Sequence, residues 1–129
     1  MNADKHRDEL NGITEQIIGC AYKVANTLGC GFLEKVYENA LVVELQRNLL
    51  KVVQQAAVKV QYEGVDVGEY IADILVENAV IIEVKAVKSL DEIHVAQCLN
   101  YLKATGFAVC LLINFGSPKI EIRRVVRGF

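Results

Sequence analysis

The 129-residue chain has one proline, no tryptophan and only two histidines, and it has no apolar run of the roughly 18 residues that a membrane span needs. The first ten residues, MNADKHRDEL, are polar and charged, which does not fit a secretory signal. The length suits one domain, residues 1–129. Together these features predict a cytoplasmic globular protein without a membrane partner.

The four cysteines form no C-x-x-C pair and the two histidines lie far apart in the chain, so we do not expect a zinc site. Cys20, Cys98 and Cys110 fall within apolar patterns and are expected to be buried. Cys30 stands between two glycines, and we expect it to be more exposed. The net charge of −2 argues mildly against strong nonspecific nucleic-acid binding, although arginines near the C-terminal end leave a local basic patch open.

Hydrophobic periodicity predicts two helices followed by three strands. Apolar residues at three- and four-residue intervals predict the helices, over residues 10–28 and 32–48. Alternating or Val- and Ile-rich stretches predict the strands, over residues 51–62, 67–76 and 80–88.

A third helix and two further strands complete the predicted order α-α-β-β-β-α-β-β. Ser89 and Glu92 predict a capping box at the start of the helix, and Gly106 predicts its C-terminal cap. The wholly apolar run 107–114 predicts a strand buried on both faces, and the alternating run 119–126 a half-exposed last strand. The fold class is therefore α/β with a mixed sheet, in which the helical crossover favours parallel pairing of the third and fourth strands.

The second and third strands are predicted to form a hairpin that carries Asp73, Glu83 and Lys85 on one face. A three-residue loop at 77–79 places Asp73 opposite Glu83 and makes the reverse face entirely apolar, whereas a two-residue loop would mix the charges with apolar side chains. The three-residue loop is favoured because register follows the pattern that keeps one face dry. The reverse-face pairs are then Ala72–Val84, Ile74–Ile82 and Val76–Val80.

Two carboxylates across a strand pair repel each other, and a divalent cation removes that repulsion by using both as oxygen ligands. Lys85 could then stabilise charge on a reacting phosphate. The pattern therefore indicates an acidic metal site for phosphodiester hydrolysis. A plainer interpretation, a Glu83–Lys85 pair on a solvated strand face with Asp73 incidental, stays open on spacing alone. The apolar surroundings favour the site, because charges in such surroundings are usually paired or functional.

Asp73, followed after nine residues by Glu83-x-Lys85, resembles the active-site signature of the PD-(D/E)XK nuclease superfamily. The G-x-x-E-x-x-Y pattern at residues 31–37 is similar to the motif that names the GxxExxY protein family, a branch of that superfamily. The resemblance covers nearly the whole chain and implies a restriction-endonuclease-like core, a mixed central sheet flanked by helices. Tyr37, the last residue of the motif, falls on the apolar side of its helix and is expected in the core.

The resemblance also implies a cofactor, a substrate and site roles. The cofactor would be Mg²⁺ or Mn²⁺, and the substrate nucleic acid, with DNA favoured. The implied metal ligands are Asp73, Glu83, the backbone carbonyl near Val84, and Glu34. Lys85 would position the nucleophile. Gln97 and Tyr101 match a Q-x-x-x-Y motif and would orient substrate, since positions i and i+4 share a helix face.

A second function stays open, that of a non-catalytic nucleic-acid-binding or assembly module that keeps the nuclease fold. The small size, the acidic balance and the lack of tryptophan favour it. The complete acid–acid–lysine set favours the nuclease. In either case a homodimer or a partner chain is open as the way for so small a core to grip a duplex.

Overall fold

The structure, a computed structural model, describes residues 3–128. Within that range it contains three helices and five strands in the predicted order. The elements are α1 (Ala3–Leu28), α2 (Glu34–Arg47), β1 (Val52–Tyr62), β2 (Val65–Val76), β3 (Val80–Lys85), α3 (Glu92–Thr105), β4 (Val109–Asn114) and β5 (Glu121–Val126).

The five strands form one mixed sheet in the order β1-β2-β3-β4-β5. β3 and β4 run parallel, as the helical crossover predicts, and the other neighbours are antiparallel. α1 and α2 pack on one face of the sheet and α3 on the other, so that each face buries its own apolar cluster. β4 is buried along its whole length, which confirms the expectation from its apolar run.

The hairpin between β2 and β3 has the three-residue loop. Val76 pairs with Val80 and Ile74 with Ile82, which places residues 77–79 in the loop. Two of the loop residues, Glu77 and Asn78, have φ angles of 53° and 50°. The paired ladder ends at Ile74–Ile82, so Asp73 and Glu83 lie one residue beyond it.

The prediction of a continuous apolar reverse face is wrong at Ala72. Ile74 packs in the cluster beneath α1 and α2, whereas Ala72 packs with Leu75 in the cluster beneath α3. The alternation of β2 therefore breaks at Asp73. Across the sheet, Gln55 of β1 has a φ of 53° and no partner in the β1–β2 register. An irregularity in paired strands changes the direction in which a side chain points. Here the irregularity lies at Asp73, one of the two candidate acids.

The predicted start of α3 is also wrong. The N-terminal cap is Asp91, and His94 takes the place of the predicted glutamate in a capping box. His94 Nδ1 accepts the Asp91 backbone N–H at 3.2 Å. Ser89 precedes the helix because the connection is tied to β5, where the Leu90 N–H donates to Glu121 Oε1 at 3.1 Å.

Two further predicted ends differ from the structure: α1 begins at Ala3 rather than at residue 10, and β3 ends at Lys85 rather than at residue 88. The predicted C-terminal cap of α3 and the predicted burial of the cysteines are confirmed. Gly106 caps the C-terminal end of α3 with a φ of 82° and donates its N–H to the Leu102 carbonyl. Cys20, Cys98 and Cys110 are buried, and Cys30 is exposed. Within the described part of the chain, no helix is both long and apolar enough to cross a membrane.

Candidate active site

Asp73 and Glu83 are joined by two reciprocal hydrogen bonds between β2 and β3. The Asp73 backbone N–H donates to Glu83 Oε2 at 3.0 Å. The Val84 backbone N–H donates to Asp73 Oδ2 at 2.8 Å. The two carboxylates thus take over the backbone pairing where the β2–β3 ladder ends, and each is held against the neighbouring strand.

Both carboxylates are poor at ionising in these surroundings. Glu83 is only 8% exposed, and burial together with the negative charge of Asp73 raises its pKa to about 7. Burial also raises the pKa of Asp73, which the hydrogen bond from Val84 opposes. Two buried carboxylates repel each other when both are ionised, and a bound cation would stabilise that ionised form.

Lys85 is the last residue of β3 and is partly buried. Its positive charge lowers the pKa of Asp73 and that of Glu83, although burial outweighs this effect in both. The structure therefore places the charges of Asp73, Glu83 and Lys85 close enough to affect one another. They lie where the β2–β3 pairing ends, away from the hairpin loop.

A third carboxylate, Glu38 of α2, acts on these charges, and the sequence analysis did not identify it. Glu38 is 2% exposed, and its Oε2 accepts hydrogen bonds from Lys35 Nζ at 2.9 Å, Gln54 Nε2 at 2.6 Å and Gln55 Nε2 at 3.0 Å. Burial opposes its ionisation, but these hydrogen bonds lower its pKa overall. Its negative charge raises the pKa of Asp73.

Glu34, the acid that the family motif implies, is exposed at the first residue of α2. Glu38 lies one turn later, among the buried residues Tyr37, Leu41 and Leu45 of the same helix. A charged residue within an apolar helical stripe is unusual. That position in the stripe was the sequence signal that could have identified Glu38.

Tyr37 is fully buried, which confirms the expectation that it belongs to the core. Its Oη donates to the Gly29 carbonyl at 2.6 Å and accepts the Phe32 N–H at 3.1 Å. Its ring stacks on Phe115, with the centroids 4.8 Å apart. The tyrosine of the motif thus closes the α1–α2 loop.

On α3, Gln97 is exposed and Tyr101 is partly buried. The Tyr101 ring stacks on Tyr70 of β2, with centroids 3.8 Å apart and an interplanar angle of 20°. Burial and the negative charge of Glu83 raise the pKa of Tyr101. Tyr101 therefore lies beside the acid pair, whereas Gln97, one turn earlier on the same helix, is exposed to solvent.

Tyr70 is a further residue that the sequence analysis missed. Burial and the nearby charge of Glu83 raise its pKa well above the ordinary value. Its Oη is buried and lies near the Glu83 carboxylate, but within residues 3–128 it makes no hydrogen bond of ordinary geometry. Its place three residues before Asp73 is the only signal in the sequence, and a tyrosine in a strand is too common to be diagnostic.

The donor set suits a hard cation that keeps part of its water shell. In the part of the chain that the structure describes, no group of three or more His, Cys, Asp or Glu side chains could hold a metal ion. Mg²⁺ nevertheless binds through one or two carboxylates and retains several waters. The buried pair of Asp73 and Glu83 therefore fits such an ion.

A mixed sheet between helices, with two acids and a lysine at the end of its central hairpin, defines a restriction-endonuclease-like fold. The model of the PD-(D/E)XK nuclease superfamily matches residues 11–125, and the chain belongs to that superfamily. Nucleases of this superfamily generally use divalent metal ions.

The fold is also similar to that of a solved structure, the crystal structure of SSO0001. The TM-score is 0.53 and the sequence identity 17%, over 74% of this chain. The matched part is 51% of SSO0001, so this chain spans about half of that protein. No curated protein matches the chain significantly.

Proposed function

We propose that this protein is a Mg²⁺- or Mn²⁺-dependent nuclease that hydrolyses phosphodiester bonds of DNA, and that it is a GxxExxY-type member of its superfamily. The observation that carries the proposal is the reciprocal hydrogen bonding of Asp73 and Glu83 beside Lys85. These acids have raised pKa values and share the charge of one lysine, which is the electrostatic setting of a cation site rather than of an ordinary strand face.

Asp73, Glu83 and the Val84 carbonyl would hold the cation, with Glu34 as an outer acid at the start of α2. When bound, the cation supplies Lewis acidity and neutralises charge on the phosphate. Glu83 must lose its proton to act as a ligand. Because its pKa lies near 7, cation affinity is expected to rise between about pH 6 and 8.

Lys85, Gln97 and Tyr101 would act on substrate. The Lys85 ammonium would orient the attacking water and stabilise charge that develops on the phosphoryl oxygens. The exposed Gln97 carboxamide and the Tyr101 hydroxyl would hydrogen-bond the nucleic-acid backbone, which fixes register without reading sequence.

The cleavage test uses linear, circular and single-stranded DNA together with RNA, each with Mg²⁺, Mn²⁺ or EDTA. We expect cleavage that requires a divalent cation. Asp73→Asn and Lys85→Ala should each reduce it by about 100-fold or more. Lys88→Ala is the matched control, because Lys88 is an exposed lysine three residues further on. Cleavage in EDTA, or wild-type cleavage by either site variant, would contradict the proposal.

The second candidate is a non-catalytic nucleic-acid-binding module, and the small number of acidic donors favours it. Titration calorimetry with Mg²⁺ and Mn²⁺ separates the two candidates. A nuclease should bind the ion in the wild type and lose that binding in Asp73→Asn. DNA binding without metal binding and without cleavage would support the module.

Residues 1–129 are proposed to act as one domain, together with a second copy or a partner chain. The support is the small core, three helices and five strands among the described residues, which offers little surface with which to grip a duplex. Sedimentation of the protein with and without a DNA duplex measures the stoichiometry. One copy bound per duplex would exclude the homodimer.

A further inference from the structure

Asn114, the last residue of β4, is fully buried, and both the oxygen and the nitrogen of its side-chain amide form hydrogen bonds. Its Oδ1 accepts the N–H of Val87 at 2.9 Å and that of Gly116 at 3.0 Å. Its Nδ2 donates to the Val87 carbonyl at 3.0 Å and to Glu121 Oε1 at 2.9 Å. A side-chain amide has two donor and two acceptor positions, so these four bonds use all of them and fix the orientation of the amide.

The backbone of Gly116 lies close against that of Val87. A Cβ at position 116 would clash with the carbonyl oxygen and the nitrogen of Val87. Only glycine allows this approach of two backbones. Glu121 also accepts the Leu90 N–H, so the connection from β3 to α3 is tied to both β4 and β5.

We call the contacts of Asn114 and Gly116 with Val87 the Val87 clamp. This clamp lies next to Lys85 in the chain. Lys85 is opposite Asn114 in the parallel β3–β4 register, and its carbonyl accepts the Phe115 N–H at 2.9 Å. β3 ends at Lys85, and the next six residues belong to no helix or strand. The β3–β4 ladder thus fixes the backbone before Lys85, and the clamp fixes it two residues afterwards.

We propose that Asn114, together with Gly116, is a positioning residue for Lys85: by holding Val87 it keeps the Lys85 side chain beside Asp73 and Glu83. The Asn114 carboxamide is fully engaged with protein groups, which leaves it no hydrogen-bonding position for substrate. The inference rests on the proposed function, in which Lys85 acts on the phosphate. Small displacements of such a group are costly, since about 1 Å can lower a rate by about 100-fold.

The kinetic test uses Asn114→Ala and Gly116→Ala, which disturb Val87 in two different ways. We expect each to lower kcat by about 10- to 100-fold and to change KM and metal affinity by less than about two-fold. Thr14→Ala is the stability control, because Thr14 is 3% exposed and, among the described residues, its hydroxyl hydrogen-bonds only to the local Asn11 carbonyl in α1. An equal loss of kcat in Thr14→Ala would overturn the proposal.

A second measurement does not depend on cleavage. Reductive ¹³C-methylation keeps the charge of lysines, and the Lys85 resonance is assigned as the one missing in Lys85→Arg. We expect that resonance to shift in Asn114→Ala and in Gly116→Ala but not in Thr14→Ala, and the other lysine resonances to stay. An unchanged Lys85 resonance in either folded clamp variant would overturn the positioning role. If the wild type cleaves nothing, the proposed function fails, but the Lys85 resonance still tests the positioning role. If one clamp variant does not fold, the other is sufficient for this measurement.

Discussion

The Asp73 backbone N–H donates to Glu83 Oε2, and the residue after Glu83 returns a backbone N–H to Asp73 Oδ2. The candidate catalytic acids therefore also complete the pairing of two strands. Removing either carboxylate leaves a buried backbone donor without a partner, which costs about 1–3 kcal/mol. Amide replacements keep an acceptor in place, and for that reason Asn and Gln variants report on charge more directly than Ala variants.

Glu83 should make the metal-free protein less stable as the pH rises from about 5 to about 8. Burial and the charge of Asp73 raise its pKa from 4.5 in its ordinary state to about 7 in the fold. Between these values the folded state binds more protons than the unfolded state, so the free energy of unfolding falls with pH. The expected loss is roughly 3 kcal/mol. Urea denaturation in chelator at several pH values measures it.

Glu83→Gln is the control for this pH dependence, since it removes the ionisable group and keeps the hydrogen-bond acceptor. Its free energy of unfolding should change much less over the same window. The smaller slope that remains is assigned to Asp73, whose pKa is also raised by burial. An equal slope in wild type and Glu83→Gln would show that Glu83 is not the group responsible.

Glu38→Ala should destabilise the protein, whereas Glu34→Ala should not. Glu38 is buried and accepts three hydrogen bonds, so its removal leaves their donors partly unsatisfied, at a cost of about 1–3 kcal/mol. Glu34 is exposed, and a surface change of this kind is usually within about 0.5 kcal/mol. Urea denaturation of the two variants compares these costs.

The same pair of variants tests which acid of α2 supports metal binding, when calorimetry with Mn²⁺ is added. Weaker binding in Glu34→Ala with unchanged stability would support the ligand role that the family motif implies. Weaker binding in Glu38→Ala alone would assign that support to the buried acid. Equal stability of both variants would contradict the hydrogen-bond network described for Glu38.

Tyr37→Phe should lower stability by about 1–2 kcal/mol without changing metal affinity. The lost hydroxyl bridges the Gly29 carbonyl and the Phe32 N–H, whereas the ring stack on Phe115 remains. Tyr62→Phe is the control, since Tyr62 is 66% exposed. Thermal unfolding and calorimetry measure the two quantities, and unchanged stability in Tyr37→Phe would show that the hydroxyl bridge is unimportant.

Tyr70→Phe should not lower stability as Tyr37→Phe does. Its free energy of unfolding should stay unchanged or rise by up to about 1 kcal/mol. The Tyr70 hydroxyl is buried and makes no hydrogen bond of ordinary geometry among the described residues, so its removal relieves a desolvation cost that outweighs the loss of its interaction with the Glu83 carboxylate. The stack on Tyr101 is kept, because phenylalanine retains the ring. Denaturation with urea at pH 6 measures the change. A loss of more than about 1 kcal/mol would mean that the hydroxyl hydrogen-bonds Glu83 in solution.

The amino-acid sequence by itself determined the element order, the parallel β3–β4 pairing and the loop at 77–79. These features follow from local chemistry: apolar periodicity sets helix or strand, and the need for one dry face sets the register of a short hairpin. The same rule placed Asp73 opposite Glu83. It failed at Ala72, because the alternation of β2 breaks at Asp73, beside the irregularity at Gln55 on the neighbouring strand β1.

Only the tertiary structure decided which further groups act on the hairpin. Glu38 acts on Asp73 because α2 packs over β1, Tyr70 meets Tyr101 because α3 crosses the other face, and Asn114 reaches the segment after Lys85 through the parallel register. Helix α3 likewise begins at Glu92, after the Asp91 cap, and the connection that precedes it is tied to β5. Burial and side-chain partners depend on elements that the fold brings together over long sequence separations. Local patterns carry no information about those contacts, and the pKa values and hydrogen bonds of the site arise from them.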